Sequence, residues 1–217
     1  MTVNLKREHY ATQLNNKWDD KDTPFHDRLV ACKNTSRVMF YLGNGRSYQT
    51  DPSKIWSDDD YFMTLLLSPA AREWAKKRYG GWALTFKPLN QLNEIYPEWL
   101  DIQVCGSQVS FFTDTATWDQ FVAVVTQGGV IQTSGKFPYK NKAGNREIID
   151  HSVAVVGIDG FKNLLLADPF GDYRTEYADP SGYLIPMNKD QFHEMIKAPN
   201  RVSKWAHVDL RYQSIFK

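Results

Sequence analysis

The sequence predicts an α+β fold, and three observations carry the prediction. Apolar residues recur at helical spacing through much of the first half of the chain, whereas short alternating or continuous apolar runs dominate the second. Asp159-Gly160 stands between two apolar runs, Val153 to Ile158 and Leu164 to Ala167, a strong local signal for a β-hairpin because both central residues tolerate positive φ. The length, 217 residues, suits one domain, or one domain with an insertion, and allows a substantial core, mainly helical over 1–128 and mainly β over 129–217.

Taken in order, Tyr10 to Asn16 reads as a polar N-terminal arm ahead of a charged loop, Trp18 to Arg28. Ala31, Thr35, Val38, Met39 and Leu42 then recur at helical spacing, and Gly43-Asn44-Gly45 stops the pattern, so a helix of about three turns should begin near Cys32. Ser57 before Asp58-Asp59-Asp60, and Ser68-Pro69, mark the starts of two structural helices, the second ending at Gly80-Gly81 with Lys76-Lys77-Arg78 on a solvated face. Trp82 to Thr113 is the least regular stretch, with a short helix expected over Leu89 to Trp99 and a strand over Gln108 to Phe112. Thr115 to Gln127 is a helix carrying Trp118, Phe121, Val122 and Val125 on one side and ending at Gly128-Gly129. Val130 to Thr133 is a strand. Ser134 to Glu147 is a long polar loop, read equally well as a substrate-gripping flap or a tolerated surface loop. Beyond the hairpin, Tyr183 to Met187 is a strand, Asn188 to Ile196 a helix with Phe192 and Met195 inward, and Trp205 to Tyr212 an alternating closing strand on which His207 is structural.

The hairpin also gathers chemistry. A two-residue turn at Asp159-Gly160 sets His151 directly across from Asp168, with Cβ atoms roughly 5 Å apart, close enough for a carboxylate to hold an imidazole; a longer loop through Asn163 would shift that register. Pro169 removes a ladder donor, so the strand should stop there and leave Asp168 at the end of the sheet. A histidine oriented by an aspartate is a general base in want of a nucleophile, although a strand-end surface histidine beside an Asp-Pro turn fits the local pattern too.

The nucleophile comes from cysteine usage. The chain has two cysteines, Cys32 and Cys105, too few for a zinc cluster or a disulfide scaffold. One disulfide between them stays open; the other reading is a lone thiol with a distant His and Asp, the pattern of a cysteine nucleophile. Cys32 at a helix N-terminus feels the positive end of the macrodipole, and Lys33 pushes the same way, both favouring thiolate. The plainer alternative is one more small buried residue on a core helix. Cys105, in Val-Cys-Gly-Ser with no His or Asp nearby in sequence, reads as a buried thiol.

Other classes recede. The charge is +1, with 26 basic and 25 acidic residues and no basic run, which argues against a general nucleic-acid binder. Neither His-Glu-x-x-His nor Cys-x-x-Cys occurs, no phosphate-binding Gly-rich loop is present, and the acids Asp172, Glu176 and Asp179 with Asp168 lack EF-hand spacing, so no metal or cofactor is expected. The first residues, Met-Thr-Val-Asn-Leu-Lys-Arg-Glu-His, contain no apolar core and cannot be a Sec signal, and no run approaches the roughly 20 apolar residues needed to span a bilayer. The expectation is a soluble protein made in the cytoplasm; if it acts outside a cell, something else must release or carry it.

Together Gln13-Leu14-Asn15-Asn16, Cys32 with Thr35-Ser36, the run His151-Ser-Val-Ala-Val-Val-Gly157, Asp168-Pro169-x-Gly171, and the helix, Gly turn and strand over Trp118 to Gly135 resemble the papain-like cysteine peptidases. The similarity is to the branch related to the double-glycine leader peptidases that process bacteriocins. It implies a nucleophile helix packed on a C-terminal antiparallel sheet, with Cys32 as nucleophile, His151 as base, Asp168 as the group orienting the imidazole and Gln13 as side-chain donor of the oxyanion hole. The pattern departs at Lys33, where that branch often has Gly, in the long interval from Gln13 to Cys32, and over Asp51 to Ser110. Stand-alone members resemble phage and bacterial cell-wall peptidases, so a peptidoglycan endopeptidase of the lysin type is the expected activity, with peptide or peptidoglycan as partner. A processing peptidase for a protein or leader peptide is the alternative, and a catalytically silent papain-like binding or structural protein is the alternative of another class.

Overall fold

The computed structural model describes residues 1–15, 32–46, 97–196 and 205–217, together with Glu73 and Lys77. The fold is α+β. Seven antiparallel-paired strands form one sheet: β1 (Thr2–Val3), β2 (Ser110–Thr113), β3 (Ile131–Lys140), β4 (Arg146–Ile158), β5 (Leu164–Ala167), β6 (Tyr183–Met187) and β7 (Ala206–Asp209). Their order is β2-β7-β3-β4-β5-β6, with β1 also on β4. The described helices are α1 (Cys32–Gly43), α2 (Pro97–Cys105), α3 (Trp118–Thr126) and α4 (Lys189–Met195). The helices expected over 57–80, the Lys76-Lys77-Arg78 face and the 18–28 loop lie outside the described residues apart from Glu73 and Lys77.

β4 is the centre of the sheet, paired with β1, β3 and β5. Its apolar run from Val153 to Val156 is buried on both faces, which is why it lacks alternation. Ala154 and Val156 pack with Leu5, Met39, Val130, Leu165 and Ala167 on the α1 side. Val153 and Val155 pack with Phe121, Val125, Phe192 and Ile185 on the other. α1 therefore lies in the interior: from Thr35 to Tyr41 every side chain is buried, polar Thr35, Ser36 and Arg37 included. A helix buried all round needs polar partners where its sequence is polar.

Those partners form one network. Arg37 Nη2 donates to Asp101 Oδ1 on α2 at 2.7 Å and to Ser110 Oγ on β2 at 2.8 Å, with both Arg37 and Asp101 0% exposed. Asp101 also accepts from Tyr41 Oη (2.6 Å), Val109 N (2.9 Å), Ser110 N (2.8 Å) and Ser110 Oγ (2.8 Å). Nearer the start of α1, Gln132 Nε2 of β3 donates to Lys33 O (2.7 Å) and Ser36 Oγ (2.9 Å), and Ser36 Oγ meets Ser152 Oγ of β4 at 2.9 Å. The first turn of α1 is thereby pinned to the two central strands.

Several expected boundaries shift. α3 starts at Trp118 because Thr117 caps it in a reciprocal capping box with Gln120, and Asn188 does the same for α4 with Gln191. The closing strand stops at Asp209, whose carboxylate accepts Arg211 N and turns the chain into a 3-10 helix, Leu210–Phe216. Of the helix expected over Leu89 to Trp99, residues 89–96 lie outside the described set; the described helix, Pro97–Cys105, continues past Trp99. The expected polar loop over Ser134 to Glu147 is instead the distal half of the β3–β4 hairpin, paired out to Lys140 and Arg146 and closed by a turn in which Asn141 Oδ1 accepts Ala143 N and Asn145 N. Its polar composition marks a hairpin arm projecting past the core, not irregular chain. The N-terminal arm is more than a tail: β1 pairs with β4, Leu5 is fully buried, and Asn4 Nδ2 donates to Val125 O and Gly129 O beyond α3.

The β4–β5 turn also differs. Asp159 N donates to Asn163 O, Asp159 Oδ1 accepts Phe161 N and Asn163 N, and Lys162 takes a left-handed φ of 65°. The loop therefore runs to Asn163 and pairs Ile158 with Leu164. Continued unchanged, that register would turn Asp168 to the face opposite His151. The register shifts between Val155 and Gly157, so Ala154 meets Ala167 and Asp168 falls beside Val153, on the His151 face and diagonal to it. The direct opposition of His151 and Asp168 is thus corrected to a diagonal one, and their proximity is kept by the bulge.

Candidate active site

His151 (3% exposed), within β4, and Asp168 (0%), just past the end of β5, meet Nε2 to Oδ1 at 2.7 Å. Every oxygen of Asp168 is held. Oδ1 also accepts Phe170 N (2.9 Å), Oδ2 accepts Tyr177 Oη (3.2 Å), and the backbone oxygen accepts Tyr10 Oη (2.8 Å). Tyr10 Oη in turn accepts Gly182 N, and Asp168 N donates to Gly182 O, so the Asp168-Pro169 turn is tied to the N-terminal arm and to the strand leading into β6. A Cβ at Gly182 would collide with Asp168 O and stand 2.8 Å from Tyr10 Oη.

With Nε2 committed to Asp168, the remaining imidazole nitrogen serves Cys32. Alternation puts Ser152, Ala154 and Val156 toward α1, while Cys32 at the N-terminal end of α1 reaches both the His151 side chain and the Ser152 N–H. Burial pushes the Cys32 thiol up, but the hydrogen bond and charge of His151, with smaller help from Lys33 and the Ser152 N–H, outweigh it and hold the thiol below its ordinary value. Burial pulls the imidazole down, and the Asp168 charge and hydrogen bond, then Cys32, raise it to about 10. The two groups titrate as a pair, each shifted in the direction that favours its charged form, the thiol downward and the imidazole upward.

Gln13 is brought to the same place. Its N–H donates to Pro169 O at 2.9 Å, and Thr12 Oγ1 donates to the same oxygen at 3.0 Å, fixing the 3-10 turn Gln13–Asn15 against the Asp168-Pro169 bend. Gln13 and His151 then border one cavity of about 310 Å³, whose other walls are Tyr139, Ile149, Asp150 and Phe170. The four residues singled out in the sequence therefore lie together.

Sequence reasoning missed Tyr177. Glu176 and Tyr177 both take left-handed φ, 55° and 67°, which costs a residue with a Cβ about 1–2 kcal/mol each. Asp172 O holds Tyr177 N, and Arg146 of β4 pairs with Glu176 at 2.6 Å. The result is a phenol over Asp168 and a ring 5.6 Å from the His151 imidazole. Burial, then the Asp168 charge, keep the Tyr177 hydroxyl protonated well above its usual range, so it donates. The signal available beforehand was a tyrosine near Asp-Pro-x-Gly, too common to use.

The second cysteine differs. Cys105 is partly exposed rather than buried, and burial followed by the Asp101 charge push its thiol up to about 12, away from nucleophilic use. His207 sits between the rings of Trp205 (5.0 Å) and Phe112 (5.6 Å), a packing role. Among the described residues no group of three or more His, Cys, Asp or Glu could hold a metal ion, and no helix is long and apolar enough to cross a membrane. What the arrangement can do is nucleophilic acyl transfer: a shared-proton thiol and imidazole, an oriented base, and a carboxamide beside them. No family model and no curated protein matches the chain.

Proposed function

We propose that the chain is a cysteine peptidase of papain-like fold. The observation that carries this reading is the buried relay in which His151 stands between the Asp168 carboxylate and the Cys32 thiol, with the thiol lowered and the imidazole raised.

The reaction follows from the proton inventory. The Cys32 thiolate attacks the scissile carbonyl carbon, and the carbonyl π electrons move to oxygen, stabilised by the Gln13 carboxamide and the Cys32 N–H. Collapse of that intermediate breaks the C–N bond as the His151 imidazolium passes its proton to the departing amine, leaving a thioester on Cys32. Neutral His151 then takes a proton from water, whose oxygen attacks the thioester; the acid product leaves and the thiolate and imidazolium are restored. Asp168 keeps the imidazole in one orientation throughout.

The narrower reading, a peptidoglycan endopeptidase of the lysin type, is carried by the sequence resemblance. Its test is the release of new amino termini from purified peptidoglycan by the wild-type protein and by Cys32→Ala. Release that vanishes with the thiol supports it; no release by a protein whose Cys32 is demonstrably activated removes the cell-wall substrate and leaves the peptidase reading with a protein or leader peptide.

A further inference from the structure

The cavity beside His151 has a character that the relay does not require. Tyr139 and Ile149, on adjacent strands of the projecting β3–β4 arm, and Phe170, after the Asp168-Pro169 bend, are each only half-buried although they are large and apolar. The rings of Tyr139 and Phe170 stand 5.9 Å apart at 45°, and Phe170 packs on Tyr177 at 4.9 Å. Partly exposed aromatic surface in a concave site next to a nucleophile is surface awaiting a ligand.

Its charge is neutralised. Asp150, the acid at this cavity, lies across the ladder from Lys136, and their side chains pair at 2.6 Å; strand alternation carries both to the face away from Ile149 and His151. A volume of about 310 Å³ is at the low end of small-ligand sites. It admits a side chain, not a second chain.

We propose that Tyr139, Ile149 and Phe170 form a subsite for one large apolar side chain, aromatic or branched aliphatic, of the substrate residue next to the scissile bond. The proposal rests on the peptidase reading and narrows its substrate. A cell-wall peptide of small and charged residues leaves the two rings uncovered, whereas a protein or leader peptide can fill the site. Withdrawing about half of a Leu or Phe side chain from water corresponds to roughly a ten-fold preference.

The test uses iodoacetyl amides that alkylate Cys32 and place a chosen residue beside it: iodoacetyl-phenylalaninamide, iodoacetyl-leucinamide, iodoacetyl-glycinamide and iodoacetyl-lysinamide, against full-length protein carrying Cys105→Ser. Each rate is divided by that protein's own rate with plain iodoacetamide. The expected result is a preference of about ten-fold for the phenylalanine and leucine probes over the glycine probe, shrinking toward unity in Tyr139→Ala and in Phe170→Leu. Equal rates for all probes on an activated thiol overturn the subsite and leave the peptidase reading standing. A preference for the lysine probe overturns it in favour of charge recognition. A thiol that reacts with plain iodoacetamide like any free cysteine overturns the peptidase reading, and the subsite with it.

Discussion

Asp101 is the residue on which the polar support of α1 converges. Asp101→Asn keeps size and one acceptor oxygen but removes the charge that compensates Arg37, leaving a fully buried guanidinium with a neutral partner. Breaking one side of a buried ion pair costs about 3–5 kcal/mol, a large share of the roughly 5–15 kcal/mol that a domain has in all. For a chain of this size each kcal/mol moves the midpoint by about 2–4 °C, so Asp101→Asn should lower Tm by about 6–20 °C. Thermal unfolding followed by circular dichroism measures it. Adding Arg37→Met removes the orphaned charge and should restore part of the loss, with a coupling of about 1–3 kcal/mol. Recovery is incomplete because Asp101 also accepts the N–H groups of Val109 and Ser110. A cost below about 1 kcal/mol for Asp101→Asn, with no coupling to Arg37, would refute the buried network.

Two further outcomes follow from the site. Gly182→Ala drives a methyl into Asp168 O and Tyr10 Oη, so it should slow Cys32 alkylation by displacing Asp168 while far-UV circular dichroism stays unchanged; an unaltered alkylation rate would show that the bend tolerates a Cβ. In Cys32→Ala the thiol is gone and Asp168 alone holds the His151 proton. Because the folded pKa is raised above the ordinary 6.5, the folded state binds the proton more tightly than the unfolded one: the stabilisation is full below about pH 6.5 and is lost as pH rises through the folded value. Urea midpoints that fall between pH 6.5 and 9.5 in Cys32→Ala, and much less in Cys32→Ala with His151→Ala, are expected; parallel curves would contradict the pairing.

The sequence made much of the site legible because its elements are local. α1 begins at Cys32 as its spacing requires, β6 occupies Tyr183–Met187 as expected, and the apolar runs of β4 and β5 bring His151 and Asp168 together. What was illegible depends on distant partners. Nothing in the sequence around Arg37 signals its burial, because Asp101 and Ser110, which enclose it, lie far along the chain. The polar distal arm of β3 and β4 reads as a loop because it carries no regular apolar stripe, only isolated contacts such as those of Tyr139 with Phe170 and Tyr177. The one-residue shift near Val156, which keeps Asp168 on the His151 face, is a backbone adjustment that no side chain in the hairpin announces.

The pairing of Cys32 with His151 is tested most directly by the rate of Cys32 alkylation by iodoacetamide as a function of pH, in Cys105→Ser protein with and without His151→Ala. Labelling should stay fast well below the free-thiol pKa of about 8.5 and collapse in the histidine variant. Slow labelling that rises with an ordinary thiol titration in both proteins would contradict it.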